Sequence, residues 1–119
     1  GGNFEAMACD DRDKNWPSFF VTEDHGLGAL RRYRPNASQH EWGWDLLHKN
    51  DGLMDYLKFN DDGTFAWTKS KVEGQASAAN YYPYTEGIHY QDGFLYFVSK
   101  RLFSLFVLDL DRGIWTSES

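Results

Sequence analysis

At 119 residues the chain holds one domain of ordinary size and is too short for two. Its 41% hydrophobic and 25% charged residues argue against disorder, and 18% aromatic residues point toward strands, interfaces or sugar-contacting surfaces. A net charge of −6 repels phosphate backbones, so nucleic acid is a poor partner.

In chain order the strand signals are "FEAMACD", "SFFVTED", "ALRRYRP", "LMDYLKF", "TFAWTKS", "EGIHYQ", "FLYFVSK", "LFVLDLD" and "IWTSES". Each is short, rich in aromatic or branched residues, and bounded by Gly, Asp, Asn or Pro. Alternation splits the arginines of "RRYR" (Arg31 to Arg34) between two faces, leaving no broad basic patch. "DDG" at Asp61 to Gly63 and "QDG" at Gln91 to Gly93 read as hairpin turns, because Asp-Gly tolerates positive φ. "NASQHEWGWDLLHKNDG" reads as a long loop with one helical turn at "WDLLHK", and "KVEGQASAANYYPY" as a polar connector ending in an aromatic cluster.

The single cysteine, Cys9, excludes an internal disulfide and leaves pairing between chains open. There is no apolar run of about 18 to 20 residues to span a membrane and no signal-peptide pattern. The sequence starts directly in strand-like residues, so a targeting segment is expected to lie outside it, and the expected location is extracellular or at the cell surface. In that setting "NAS" at Asn36 is a candidate glycosylation site.

An internal repeat organises the chain. Glu5, Met7 and Asp11 recur at one constant spacing as Glu86, Ile88 and Asp92, and "FVTE" recurs as "FVSK" at a slightly shorter one. The blade-like copies span residues 4–36 and 85–119, with intervening strands at 52–70, inside one β domain covering 1–119. Short antiparallel strands in a repeated four-stranded meander are the sequence form of β-propeller blades. A ring takes about four to eight blades, so the expected fold is all-β, propeller-like and incomplete in one chain. An ordinary β-sandwich is the alternative. Units that cannot bury their own faces need neighbours, so the expected partners are other copies of the chain or the remainder of a larger propeller.

The stretches "GGNFEAMACDD…PSFFVTEDHGLGALRRYRPN" and "EGIHYQDGFLYFVSK…LFVLDLD" carry a resemblance to PhoX-type alkaline phosphatases and related secreted propeller proteins. The matching residues are Phe4, Glu5, Ala6, Asp10, Thr22, Glu23, Asp24, Gly28, Arg32 and Pro35, then Glu86, Gly87, Asp92, Gly93, Tyr96 and Phe97. The resemblance implies a central channel holding calcium and iron, with innermost-strand glutamates among the ligands. It would place Glu5 and Glu86 there, where paired carboxylates need a cation between them. The chain departs from the family in two respects. Phe4 stands where the family has histidine, and the segment bearing the ligand cysteine is absent, so Cys9 does not take that role and the phosphatase site is incomplete.

The candidate metal ligands are Glu5, Glu86, Glu23 and Asp24, with calcium the expected ion and iron expected only with the full phosphatase-like site. Strand-end exposure is the plain alternative for the two glutamates, and a polar turn for Glu23 and Asp24. The histidines His25, His40, His48 and His89 lack zinc-site spacing, and His89 is expected to pack. "EWGW" and "NYYPY" suit either sugar stacking or buried anchoring. The leading expectation is an extracellular structural or assembly protein that binds calcium and is not catalytic by itself. Its alternatives are a fragment of a metal-dependent phosphomonoesterase, and a carbohydrate- or surface-binding module using Trp42 and Trp44 with glycan partners.

Overall fold

The computed structural model describes residues 4–13, 16–34 and 53–119, without the side chains of Phe4 and Glu5. Asn36, Trp42, Trp44, His40, His48 and the helical turn expected at "WDLLHK" lie outside the described residues.

Each alternating stretch forms a strand: β1 (Phe4–Asp10), β2 (Ser18–Glu23), β3 (Arg31–Arg34), β4 (Leu53–Phe59), β5 (Phe65–Thr68), β6 (Thr85–Gln91), β7 (Phe94–Ser99), β8 (Ser104–Asp109) and β9 (Ile114–Glu118). They make two antiparallel meanders, one in the order β1-β2-β3-β4-β5 and one in the order β6-β7-β8-β9. The strands expected between the two repeats therefore belong to the first sheet. At the expected turns Asp92 and Gly93 both take positive φ, 50° and 89°, which is the two-residue hairpin geometry that Asp-Gly favours. Gly63 has φ 88° at the other.

β1 lies beside β6, and the sheets share one core. Period-2 alternation sends Leu95, Phe97, Phe106 and Leu108 inward from the second sheet, against Phe20, Leu30, Leu57, Phe59 and Phe65 of the first. Phe59 stacks on Trp115 with centroids 4.3 Å apart, and the Trp115 Nε1–H donates to the Asn60 carbonyl at 3.2 Å. Backbone bonds from Phe65 N to Gly113 O and from Trp115 N to Gly63 O, each 2.9 Å, stitch the β4–β5 turn to the β8–β9 turn.

The connector expected at "KVEGQASAANYYPY" is instead a helix, α1 (Lys71–Tyr81). Its start is written in Ser70 and Glu73. The Ser70 hydroxyl accepts from the Glu73 N–H at 3.2 Å, and Ser-x-x-Glu is the pattern of a capping box. Helical periodicity is faint because the buried positions are small: Gly74, Ser77 and Ala78. Small residues let the helix lie close on β4, where the Phe59 N–H donates to the Ser77 hydroxyl at 2.9 Å. A Cβ on Gly74 would meet Tyr56 Cβ at 2.5 Å. Gly74→Ala is therefore expected to lower stability by roughly 1–3 kcal/mol from overpacking, outweighing the gain of about 1 kcal/mol in helix propensity. Urea denaturation checks this, and a stabilised variant would mean that α1 does not dock at this distance.

Candidate functional site

Two surfaces are candidates: the carboxylates where β1 and β6 begin, and the outward face of the second sheet. The first grows from two β-bulges. In β1 the pairing skips between Phe4 and Ala6, so Glu5 is the bulged residue. In β6 it skips between Glu86 and Ile88, where Gly87 supplies the positive φ of 57°. Glu86 itself pairs with Val98. The two glutamates thus open neighbouring strands but stand one position apart in register, because the second strand has a glycine to absorb its bulge.

Lys100, at the end of β7, reaches across to this region. Its Nζ lies 2.8 Å from Asp24 Oδ2 and 3.5 Å from Glu86 Oε2, so one ammonium bridges carboxylates of both sheets. The hydrogen bond to Asp24 raises the Lys100 pKa. Glu23 is engaged elsewhere: its Oε2 accepts from Arg31 at 3.0 Å, both side chains are largely buried, and the Arg31 guanidinium sits over the Tyr56 ring. The Thr85 hydroxyl donates to the Glu23 carbonyl at 3.2 Å, tying the start of β6 to the end of β2.

Asp24 Oδ1 and Thr22 Oγ1 are both buried without a hydrogen-bond partner. Buried oxygens left bare are costly, and oxygen is the ligand atom that a hard cation takes. Asp24 and Glu86 thus share the Lys100 ammonium, whereas Glu23 is held by Arg31. Among the described residues no three His, Cys, Asp or Glu side chains converge as a ready metal cage.

The second surface follows from alternation on both faces of the second sheet. Its inner residues are buried, yet its outward positions are also apolar: Phe94, Tyr96 and Val98 on β7 lie beside Leu105 and Val107 on β8. Val98 pairs directly with Leu105, and Tyr96 with Val107. Phe94 and Val98 are each 39% exposed and Leu105 is 36% exposed. His89 does not pack in the core as expected. It is exposed on this same face, its ring 6.1 Å from that of Tyr96, because it pairs with Tyr96 across the β6–β7 ladder. The two central strands, β7 and β8, are apolar on both sides, as strands covered twice are, whereas the flanking strands carry His89, Thr116 and Glu118 on the outward face.

A further charged group centres on β4. Asp55, in the apolar stretch "LMDYLKF", is only 4% exposed and takes ion pairs from Arg32 at 2.6 Å, Arg34 at 3.2 Å and Lys69 at 2.7 Å. The expected split of the arginines explains it, since Arg32 and Arg34 share one face of β3 and Arg32 pairs with Asp55 across the ladder. An acidic residue inside an apolar strand was the available signal. At the far end of β1, Arg12 clasps Asp10 of the first sheet and Asp111 of the second at 2.9 and 3.0 Å.

No helix among the described residues is long and apolar enough to cross a membrane. No family model, no curated protein and no solved structure matches the chain.

Proposed function

We propose that the chain is a propeller-like structural unit that works by assembly. The outward face of its second sheet is covered by a further sheet of the same construction, which for this chain alone means a second copy. The observation that carries the reading is the outward apolar stripe of Phe94, Tyr96, Val98, Leu105 and Val107, in which Phe94, Val98 and Leu105 are exposed and Tyr96 and Val107 half-buried. Burying a side chain of this kind contributes on the order of 1.5–3 kcal/mol, and a row of them left in water marks an interface. The precedent lies within the chain, where the first sheet already covers the other face of the same strands and β1 lies beside β6. Repetition of that placement is how blade-like units bury their faces.

Calcium belongs to this reading as a tie between sheets. Asp24 and Glu86 come from different sheets and already share one cation, Lys100, and Glu5 opens the neighbouring strand. A divalent ion there would hold the ends of β1 and β6 together from the assembly's inner side. An extracellular setting supplies calcium at the concentrations that weak sites of this kind require.

The test is the pair of substitutions Val98→Lys and Leu105→Lys, studied by sedimentation velocity and circular dichroism. The wild-type chain is expected to associate in a concentration-dependent way, and the double variant to remain a folded monomer. Association that is unchanged in the variant would place the interface elsewhere, and a wild-type chain that stays monomeric at high concentration would end the assembly reading.

A further inference from the structure

Among the described residues most cations have at least one carboxylate of their own, as Arg31 has Glu23 and Lys58 has Glu73. Arg12 has two carboxylates, Asp10 and Asp111, and Lys100 has two, Asp24 and Glu86. Around Asp55 the ratio is inverted: a single carboxylate serves Arg32, Arg34 and Lys69. Its capacity is used up. Oδ2 accepts from Arg32 Nε at 3.1 Å, Arg32 Nη2 at 2.6 Å and Arg34 Nη2 at 3.2 Å, and Oδ1 takes Lys69 Nζ at 2.7 Å.

We propose that Arg34 and Lys69, held around the saturated Asp55, bind a small oxyanion of the carboxylate or phosphate type. Three cations against one carboxylate leave two positive charges uncompensated among the described residues, in a setting where the Arg32 and Arg34 side chains are only 18% and 26% exposed. Like charges drawn together away from water repel strongly, and a counter-anion relieves this. Arg34 also keeps a buried Nε–H without a hydrogen-bond partner. The site is built rather than incidental: Arg32 is fixed by Asp55 on one side and by the Trp67 ring on the other, 4.6 Å from its guanidinium carbon. Lys69 is 64% exposed and gives solvent access to the group.

The chain's net charge of −6 shapes the ligand. A polyanion would meet that long-range field, whereas a single small anion meets mainly the local excess. Guanidinium and ammonium donors together suit the oxygens of a carboxylate or a phosphate-like group.

The experiment is thermal unfolding of the 119-residue chain at neutral pH and constant ionic strength, with chloride exchanged for acetate, sulfate or inorganic phosphate. The wild-type chain is expected to show a saturable rise in Tm with at least one oxyanion, and Lys69→Gln to weaken that binding by roughly tenfold through loss of a charge-assisted contact. Because Lys69 is exposed, its variant keeps the fold. The Arg34 Nε–H resonance, followed by NMR in the wild-type chain, is expected to shift with the same saturation curve. A preference for acetate would identify the group as a carboxylate, and a preference for sulfate and phosphate as a tetrahedral anion. No saturable rise over chloride, or an equal rise in Lys69→Gln with an unmoved Arg34 resonance, would overturn the proposal.

Discussion

Tyr82→Ala is expected to lower the stability of the chain by roughly 3–5 kcal/mol, the range for deleting a large buried aromatic side chain. Tyr82 is fully buried just past the end of α1, at the point where helix and both sheets meet. Its ring stands edge-on to Phe59 of the first sheet and to Phe97 and Phe106 of the second, with centroids 5.2, 5.6 and 6.4 Å away. Its hydroxyl donates to the Leu57 carbonyl at 2.8 Å, and burial pushes its pKa well above the ordinary tyrosine value. Tyr82→Phe isolates the hydroxyl and is expected to cost about 1–2 kcal/mol, since the ring contacts survive and one buried acceptor loses a donor. Chemical denaturation of both variants separates the two contributions. A small loss in Tyr82→Ala would mean that the sheets hold together without this joint.

Asp55→Ala is the second large effect. Removing the one carboxylate that three cations share leaves buried positive charge without a partner, a change of roughly 3–5 kcal/mol. The same group sets a pH signature. Burial alone would raise the Asp55 pKa, but hydrogen bonds from Lys69 and Arg32 outweigh it and hold the carboxyl below its ordinary value. A depressed folded-state pKa means that the stabilisation is complete above the unfolded value of about 3.9 and is lost as pH falls through the lower folded value. The wild-type chain is therefore expected to lose stability on acidification below about pH 4, and the variant to lose less over that interval. Parallel acid profiles for the two proteins would show that Asp55 is not ionised in the folded state.

The strands were legible because each is a short run rich in aromatic or branched residues bounded by turn residues, and the two Asp-Gly turns fall where positive φ is required. The helix was not, because it buries Gly74, Ser77 and Ala78 instead of large apolar residues, so its face leaves no periodic trace; the Ser70 and Glu73 pair was the readable sign. Glu5 and Glu86 each stand second in a strand, β1 and β6, that opens a sheet. The repeat could not reveal that Gly87 shifts one bulge against the other, nor that Lys100 would reach Asp24 and Glu86 together, since both depend on pairing across the fold. Asp55 shows the same limit. Its chemistry arises from Arg32, Arg34 and Lys69, which only the ladder of β3, β4 and β5 brings to one place. The outward apolar stripe was half visible: "FLYFVS" and "LFVLD" are apolar at nearly every position, and their uncovered side became clear only when the first sheet was seen to fill the other.

Native mass spectrometry of the protein isolated from its source, with and without a chelator, tests the central claim most directly. The expected result is an assembly in which the outward face of the second sheet is covered, with bound calcium that the chelator removes. A metal-free monomer of 13.8 kDa would contradict both the covered face and the cation tie between Asp24 and Glu86.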